Sequence, residues 1–253
     1  MLQNARDLAG SAVTGPLSFR GRAHTAGWMS PIPDELQGVL GGTWLTGNSS
    51  GQPIIGRLSV GPSAFAFNPG DMNKSGTVRT TTLLDFSLAK PLHGDLFNEK
   101  GDNNIWTHLS RTVHGFIPPG TRTYITLGQS GGHQSSVCYK CIPAGLTANC
   151  SGYCAKDPDD YYLMYWLWDV LDLIDVRRGA KQPNSVRPYD YGLFLAPFPG
   201  IRFGGGSYDP ASNRLYLTLQ RADHDQGSYS NPPVILVYSV ATSDRDSNTS
   251  GNK

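Results

Sequence analysis

GGGSYDPASNRLYLTLQ, residues 204–220, is the stretch that says most about the fold. Its three glycines allow the backbone to approach a crowded centre closely, and Tyr208 is predicted to end a strand. Asp209 and Pro210 open a tight turn, after which residues 214–219 return antiparallel to the first strand. Inner strands of β-propellers commonly have this pattern, and a further strand predicted at 234–240 supplies most of one blade.

The rest of the chain also consists of short apolar, β-branched or aromatic runs between clusters of Gly, Pro, Asn and Asp. Each run has strand length and several alternate with period two, so further strands are predicted at 54–60, 63–67, 77–86, 122–127, 161–168 and 193–196. Two short helices are predicted, at 33–40 and at 169–178, the second with Asp169 as N-cap. Strand count alone leaves sandwich, barrel and propeller open. Strand count and the glycine segment together favour an all-β, irregular β-propeller-like architecture with long loops and one or two short helices.

Composition and charge limit the classes of partner. The 253 residues include 30 glycines and 18 prolines, which is typical of a turn-rich β protein. The net charge of +1 gives no basic surface for nucleic acid, and the longest apolar stretch, 161–168, is far shorter than the roughly 20 residues of a membrane-spanning helix. We predict an extension at 1–18, a single domain at 19–241 and a flexible polar tail at 242–253, with the alternative that 19–241 is the C-terminal part of a larger domain.

All four cysteines, Cys138, Cys141, Cys150 and Cys154, lie within 17 residues. We predict two disulfides that staple a surface loop, with the pairing left open because four cysteines allow three pairings. The alternative is a zinc site in which four thiolates surround one ion, although the eight-residue linker is shorter than in usual zinc ribbons. Disulfides would indicate maturation in an oxidising compartment.

Polar residues at or near predicted strand ends are the candidate binding residues, because a propeller brings such positions together around one axis. Arginine can hold carboxylate or sulfate groups, and Asp and His supply acid–base groups or metal ligands. Successive glycines in GQSGGH (128–133) would allow an anion-holding concavity of backbone N–H groups, and RADHD (221–225) would offer oxygen ligands to a structural Ca²⁺. The candidates are Arg22, His24, His108, Arg111, His133, Asp169, Arg221 and Asp223.

Several longer segments resemble the conserved blocks of bacterial secreted β-propeller-like proteins of largely uncharacterised function. They are 19–33, 57–71, 117–133, 161–174, 186–192 and 204–223. The resemblance implies an extracytoplasmic propeller and transfers no catalytic residue.

No nucleophile elbow, P-loop, zinc-protease motif or dinucleotide-binding fingerprint stands in its required context. We therefore expect a secreted or cell-surface binding or scaffold module with a carbohydrate or protein partner. One alternative is a propeller carbohydrate-active enzyme, a hydrolase or lyase that uses carboxylates with Arg and His. The other is a structural subunit of an extracellular assembly. No cofactor is expected beyond the minority Ca²⁺ and Zn²⁺ alternatives.

Overall fold

Short β-rich runs separated by turn residues fold into antiparallel sheets. The structure, a computed structural model, describes residues 18–19, 27–49, 60–73, 77–198, 202–227 and 230–241. Among the described residues, strands account for 38% and helices for 9%, with two α-helices, so the predicted all-β class with one or two short helices is confirmed. The predicted strand at 54–60 lies outside the described residues except for Val60, as do the tail at 242–253 and all of the extension at 1–18 except Ser18.

The first sheet is a four-stranded antiparallel meander in the order β2-β3-β4-β6. Its strands are β2 (Trp28–Pro31), β3 (Trp44–Gly47), β4 (Ala64–Phe67) and β6 (Thr80–Leu84). All four residues of β4 are buried, as expected for a central strand with both faces covered. A separate parallel pair joins β1 (Ser18–Phe19) to β5 (Thr77–Val78).

The second sheet has the order β7-β8-β11-β12. It consists of β7 (Arg111–Phe116), β8 (Thr123–Gly131), β11 (Tyr161–Asp169) and β12 (Asp190–Leu193). Between β8 and β11 the chain forms a small hairpin of β9 (Val137–Tyr139) and β10 (Tyr153–Ala155). The predicted strand at 193–196 is wrong in its bounds, because antiparallel pairing with β11 ends at Leu193 and Leu195 is 84% exposed.

The third sheet is a three-stranded meander of β13 (Phe203–Asp209), β14 (Arg214–Leu219) and β15 (Val234–Ser239). The predicted hairpin is confirmed: β13 ends at Asp209, whose carboxylate accepts from the Ala211 N–H in the turn, and β14 returns antiparallel. The leucines of β14 are buried against the second sheet, and its alternate residues lie on the opposite face.

Two helices cover the first two sheets. α1 (Asp34–Leu40) ends at Gly41 in the left-handed conformation, and α2 (Val170–Arg177) packs on β6. Asp169 accepts from the Leu171 N–H, so its predicted role as N-cap is confirmed. Neither helix in the described ranges is long and apolar enough to cross a membrane.

The three sheets meet through the strand that comes first in each, because β2, β7 and β13 contact one another. The Ser30 hydroxyl on β2 donates to the Gly115 carbonyl of β7 at 2.7 Å. The His114 ring of β7 lies 6.5 Å from the Trp28 ring, and an added Cβ at Gly206 of β13 would stand 2.9 Å from that imidazole. Glycine at 206 therefore permits the close approach of β13 to β7. The pairings within the described ranges close no barrel.

Candidate functional site

An open groove of about 860 Å³ lies on the face of the third sheet that points away from the second sheet. The period-two alternation of β14 creates it, because Leu215, Leu217 and Leu219 face the core and the residues between them face outward. The lining residues are Gly204, Gly205, Gly206, Ser207, Tyr216, Thr218, Gln220, Arg221, Asn231, Pro233 and Ile235.

The floor of the groove is bare backbone. An added Cβ at Gly205 would meet no atom within 4 Å, so this position opens onto free space. Tyr216 pairs with Ser207 and Thr218 pairs with Gly205 across the floor. A planar ligand can therefore lie against the strand beside an aromatic ring and hydroxyl groups.

Polar side chains close one end of the groove. Gln220 and Arg221 follow β14, and Arg221 has φ of 55°, an uncommon left-handed conformation for a non-glycine residue. Asn231 is oriented by a 3.0 Å hydrogen bond between its side-chain oxygen and His224 Nδ1. Among the described lining residues none is a carboxylate or an imidazole. The groove offers hydroxyl, amide and guanidinium groups, which suit hydroxyl-rich or anionic ligands.

Arg202 lies beside this end, and Arg111 of the second sheet is close enough to Arg202 for their charges to interact. The Arg202 carbonyl accepts the Gln220 N–H at 2.9 Å, which places Arg202 directly beside the groove. Arg111 begins β7 and pairs with Gln129 of β8, so both side chains project from the same face of the second sheet. Burial, and to a smaller extent the charge of Arg202, lower the pKa of Arg111. Arg221 thus lines the groove, Arg202 lies beside its lining residue Gln220, and Arg111 interacts with the charge of Arg202. Arg202 was not a predicted site residue.

His108 and His133 have structural partners of their own. His108 is buried and stacks on Tyr153 with ring centroids 4.2 Å apart, while Phe97 contacts it edge to face. His133 Nδ1 lies 2.8 Å from the Asn103 carbonyl, and its Nε2 lies 2.7 Å from Ser130 Oγ. Burial lowers the pKa of His133, opposed by the Asn103 hydrogen bond and the Asp160 charge. A neutral His133 therefore donates through Nδ1 and accepts the Ser130 hydroxyl proton through Nε2.

The GQSGGH segment, whose residues 128–131 belong to β8, contributes no open anion site of its own. The Gly132 N–H donates to the Asp160 carbonyl at 3.0 Å. In the residues after His133, the N–H groups of Gln134 and Ser135 donate to Asp160 Oδ2 at 3.0 and 2.6 Å, joined by the Ser135 hydroxyl. Two N–H groups and a hydroxyl thus form a site for an anion, and the Asp160 carboxylate occupies it.

The predicted carboxylates do not form a catalytic pair. Asp169 caps α2 and makes a 2.7 Å ion pair with Arg122 in the second sheet. Asp223 follows β14, where its two oxygens accept from the Asp225 N–H and the Gln226 amide. The remaining candidates, Arg22 and His24, lie outside the described residues.

The four cysteines gather on the β9–β10 hairpin in two pairs at disulfide distance, Cys138–Cys141 and Cys150–Cys154. The pairs are close together, since Cys154 Sγ lies 3.6 Å from Cys138 Sγ and 3.7 Å from Cys141 Sγ. Among the described residues, Cys138, Cys141 and Cys154 form the group of three whose ligand atoms are near enough to share a metal ion. The RADHD segment forms no such group in the described part of the chain. The pairing that the sequence left open is thus Cys138–Cys141 and Cys150–Cys154. The zinc and Ca²⁺ sites stay predictions.

Comparison with protein-family models, with curated proteins and with solved structures finds no match to this chain. The resemblance to secreted propeller-like proteins therefore stays a prediction. Of the predicted binding residues, Arg221 lines the groove and Arg111 lies near Arg202. Sequence reasoning missed Tyr216, Thr218 and Gln220, although the alternation of RLYLTLQ places them on one face.

Proposed function

We propose that the protein is a carbohydrate-binding module and that the groove on the third sheet holds the saccharide. The observation that carries this proposal is the combination of a glycine floor, one aromatic ring and several neutral hydrogen-bonding side chains in one open groove. Sugar rings present an apolar face that stacks on tyrosine and a rim of hydroxyls that hydrogen-bond to amides and hydroxyls. Tyr216 supplies the first contact, and Thr218, Gln220 and Asn231 supply the second.

Binding is favoured over hydrolysis by the chemistry of the lining. A glycosidase needs two carboxyl groups about 5 Å apart if retaining and roughly 6.5–9.5 Å apart if inverting. The described groove residues carry none, Asp169 accepts from Leu171 and Arg122, and Asp223 accepts from Asp225 and Gln226 in its own turn. The hydrolase or lyase alternative therefore has less support.

We infer further that the module is secreted or displayed at a cell surface and that its three sheets are blades of an irregular propeller. The cysteine pairs support the first inference, because disulfides persist in oxidising compartments. Mutual contact of β2, β7 and β13 supports the second, since a propeller arranges the first strand of each blade around its axis.

A protein partner is the second candidate, and it rests on a specific observation. Ile235 and Val237 on β15 are 63% and 52% exposed, and they lie beside each other on the outer face of the third sheet. Exposed apolar residues on such a strand are typical of an interface or an assembly contact. A second copy bound through this face would appear as a concentration-dependent dimer in sedimentation experiments.

The test is a glycan array probed with the wild-type protein and with Gly205→Leu. Leucine at 205 grows into open space, so we expect it to block the groove while the protein stays folded. Gly94→Leu is the matched control, because an added Cβ at Gly94 also meets no atom within 4 Å and Gly94 lies outside the groove. Selective glycan binding lost only in Gly205→Leu supports the proposal. Binding that survives in Gly205→Leu, or no binding to any glycan, overturns it.

A further inference from the structure

Arg111 and Arg202 form a pair of positive charges with no acidic partner among the described residues, in a chain whose net charge is only +1. In the described part of the chain, the ion pairs are Arg122–Asp169 and those of Lys181 with Asp172 and Asp175. None involves Arg111 or Arg202.

Few acidic residues lie outside the described ranges. Of the 20 acidic residues, only Asp7, Asp244 and Asp246 lie outside the described ranges. The structure therefore describes almost every carboxylate of the chain, and no described carboxylate forms an ion pair with Arg111 or Arg202.

Arg111 is also incompletely satisfied. Its side chain is half-buried, and its Nε has no hydrogen-bond partner among the described residues. The side-chain oxygen of Gln129, directly across the ladder, is likewise buried and without a described partner. Unpaired buried polar atoms destabilise a folded protein unless a ligand completes their hydrogen bonds.

Arg202 connects this pair to the groove. Its carbonyl accepts from the backbone of Gln220, a lining residue, and its charge is close enough to lower the pKa of Arg111. β13 and β7 pack in the same direction, because Gly206 contacts His114 and, two residues further along both strands, the Tyr208 and Phe116 rings stack with centroids 4.5 Å apart. The starts of the two strands, Phe203 and Arg111, therefore lie at the same end.

We propose that Arg111 and Arg202 form an oxyanion subsite at the end of the groove, so that the preferred saccharide carries a carboxylate or sulfate group. Guanidinium groups match both oxyanions through paired N–H donors. This inference rests on the proposed carbohydrate function and names the class of saccharide.

The first arm of the test measures affinity by calorimetry for an oligogalacturonate and for its methyl ester, which share a backbone and differ in charge. We expect the charged form to bind at least tenfold more tightly, and both Arg202→Gln and Arg111→Gln to lose about tenfold for that form alone. Arg214→Gln, the same charge change elsewhere on the third sheet, is the control. Dextran sulfate compared with dextran shows whether sulfate is the better oxyanion.

The second arm follows the Arg111 Nε–Hε signal by NMR while free galacturonate is added. Equal binding of both oligosaccharides with no movement of this signal overturns the subsite and leaves the carbohydrate function standing. No binding of either oligosaccharide, with movement of the signal, overturns the carbohydrate function and leaves an anion site. If neither oligosaccharide binds and the Arg111 Nε–Hε signal does not shift, both proposals are wrong. Arg202 is exposed, so Arg202→Gln gives a clear result even where Arg111→Gln does not fold.

Discussion

The contact between β7 and β13 predicts opposite effects of the same substitution at two adjacent glycines. A Cβ at Gly206 would lie 2.9 to 3.0 Å from three atoms of the His114 side chain, closer than real Cβ contacts, whereas a Cβ at Gly205 would meet no atom within 4 Å. Overpacking of this kind destabilises by about 1–3 kcal/mol. Gly205→Ala instead removes the entropic penalty of a strand glycine, which is worth about 0.5–1 kcal/mol of stability.

Urea denaturation of the two alanine variants measures this difference directly. Gly206→Ala should lower the free energy of unfolding and Gly205→Ala should raise it slightly or leave it unchanged. In a thermal melt the change is roughly 2–4 °C for each kcal/mol. The change reports the packing of one sheet on another, because both glycines lie in the same strand.

A double-mutant cycle identifies the partner. If the imidazole causes the clash, Gly206→Ala should be less damaging in a His114→Ala background, with a coupling free energy of about 0.5–3 kcal/mol. An equal loss of stability at both glycines, or no coupling to His114, would refute the proposed contact of the sheets.

Three further predictions concern stability and oxidation state. Asp169→Ala should reduce the free energy of unfolding by about 1–2 kcal/mol in urea titrations, since the cap of α2 and the Arg122 ion pair are both lost. Asp169→Asn should cost less, because asparagine keeps the cap and loses only the ion pair; equal losses in the two variants would argue against a contribution from the cap. Burial lowers the pKa of His114 from 6.5 to about 4. Between these two pH values the unfolded chain binds a proton at His114 and the folded protein does not, so the free energy of unfolding should fall by roughly 3 kcal/mol as the pH drops from about 6.5 to about 4. His114→Phe should flatten that part of the pH profile, and an unchanged profile would contradict the assignment. The pairs Cys138–Cys141 and Cys150–Cys154 should make the native protein lighter than the reduced protein by four hydrogen atoms in intact-mass spectrometry, whereas reduced thiols with one equivalent of bound zinc would favour the metal alternative.

The strand predictions that were correct came from local sequence patterns. Alternation in residues 214–219 and 234–240 gave the meander of the third sheet, and the Asp169 cap gave the start of α2. The strand at Trp28–Pro31 was missed because it is short and contains a proline at its end. The strand predicted at 193–196 lies instead at Asp190–Leu193, because its bounds are set by pairing with β11, which is distant in sequence.

The site was harder to predict because it depends on which strands become neighbours. Arg221 was a candidate and lines the groove, but nothing in the sequence distinguishes Arg202 from other arginines until β13 packs beside β7. His108, His133 and Asp169 are the residue types that catalysis uses, and here they serve packing, a buried hydrogen-bond network and a helix cap. Residue type alone does not separate these roles, whereas burial and partners do.

An NMR titration of methyl-labelled protein with the glycan that the array selects shows directly whether the third sheet binds a saccharide. If the groove binds the glycan, the Ile235 methyl signals should shift with a saturable dependence on glycan concentration, while those of Ile142 on the cysteine hairpin and Ile174 in α2 stay in place. Shifts at Ile142 or Ile174 without any at Ile235 would show that the third sheet is not the binding surface.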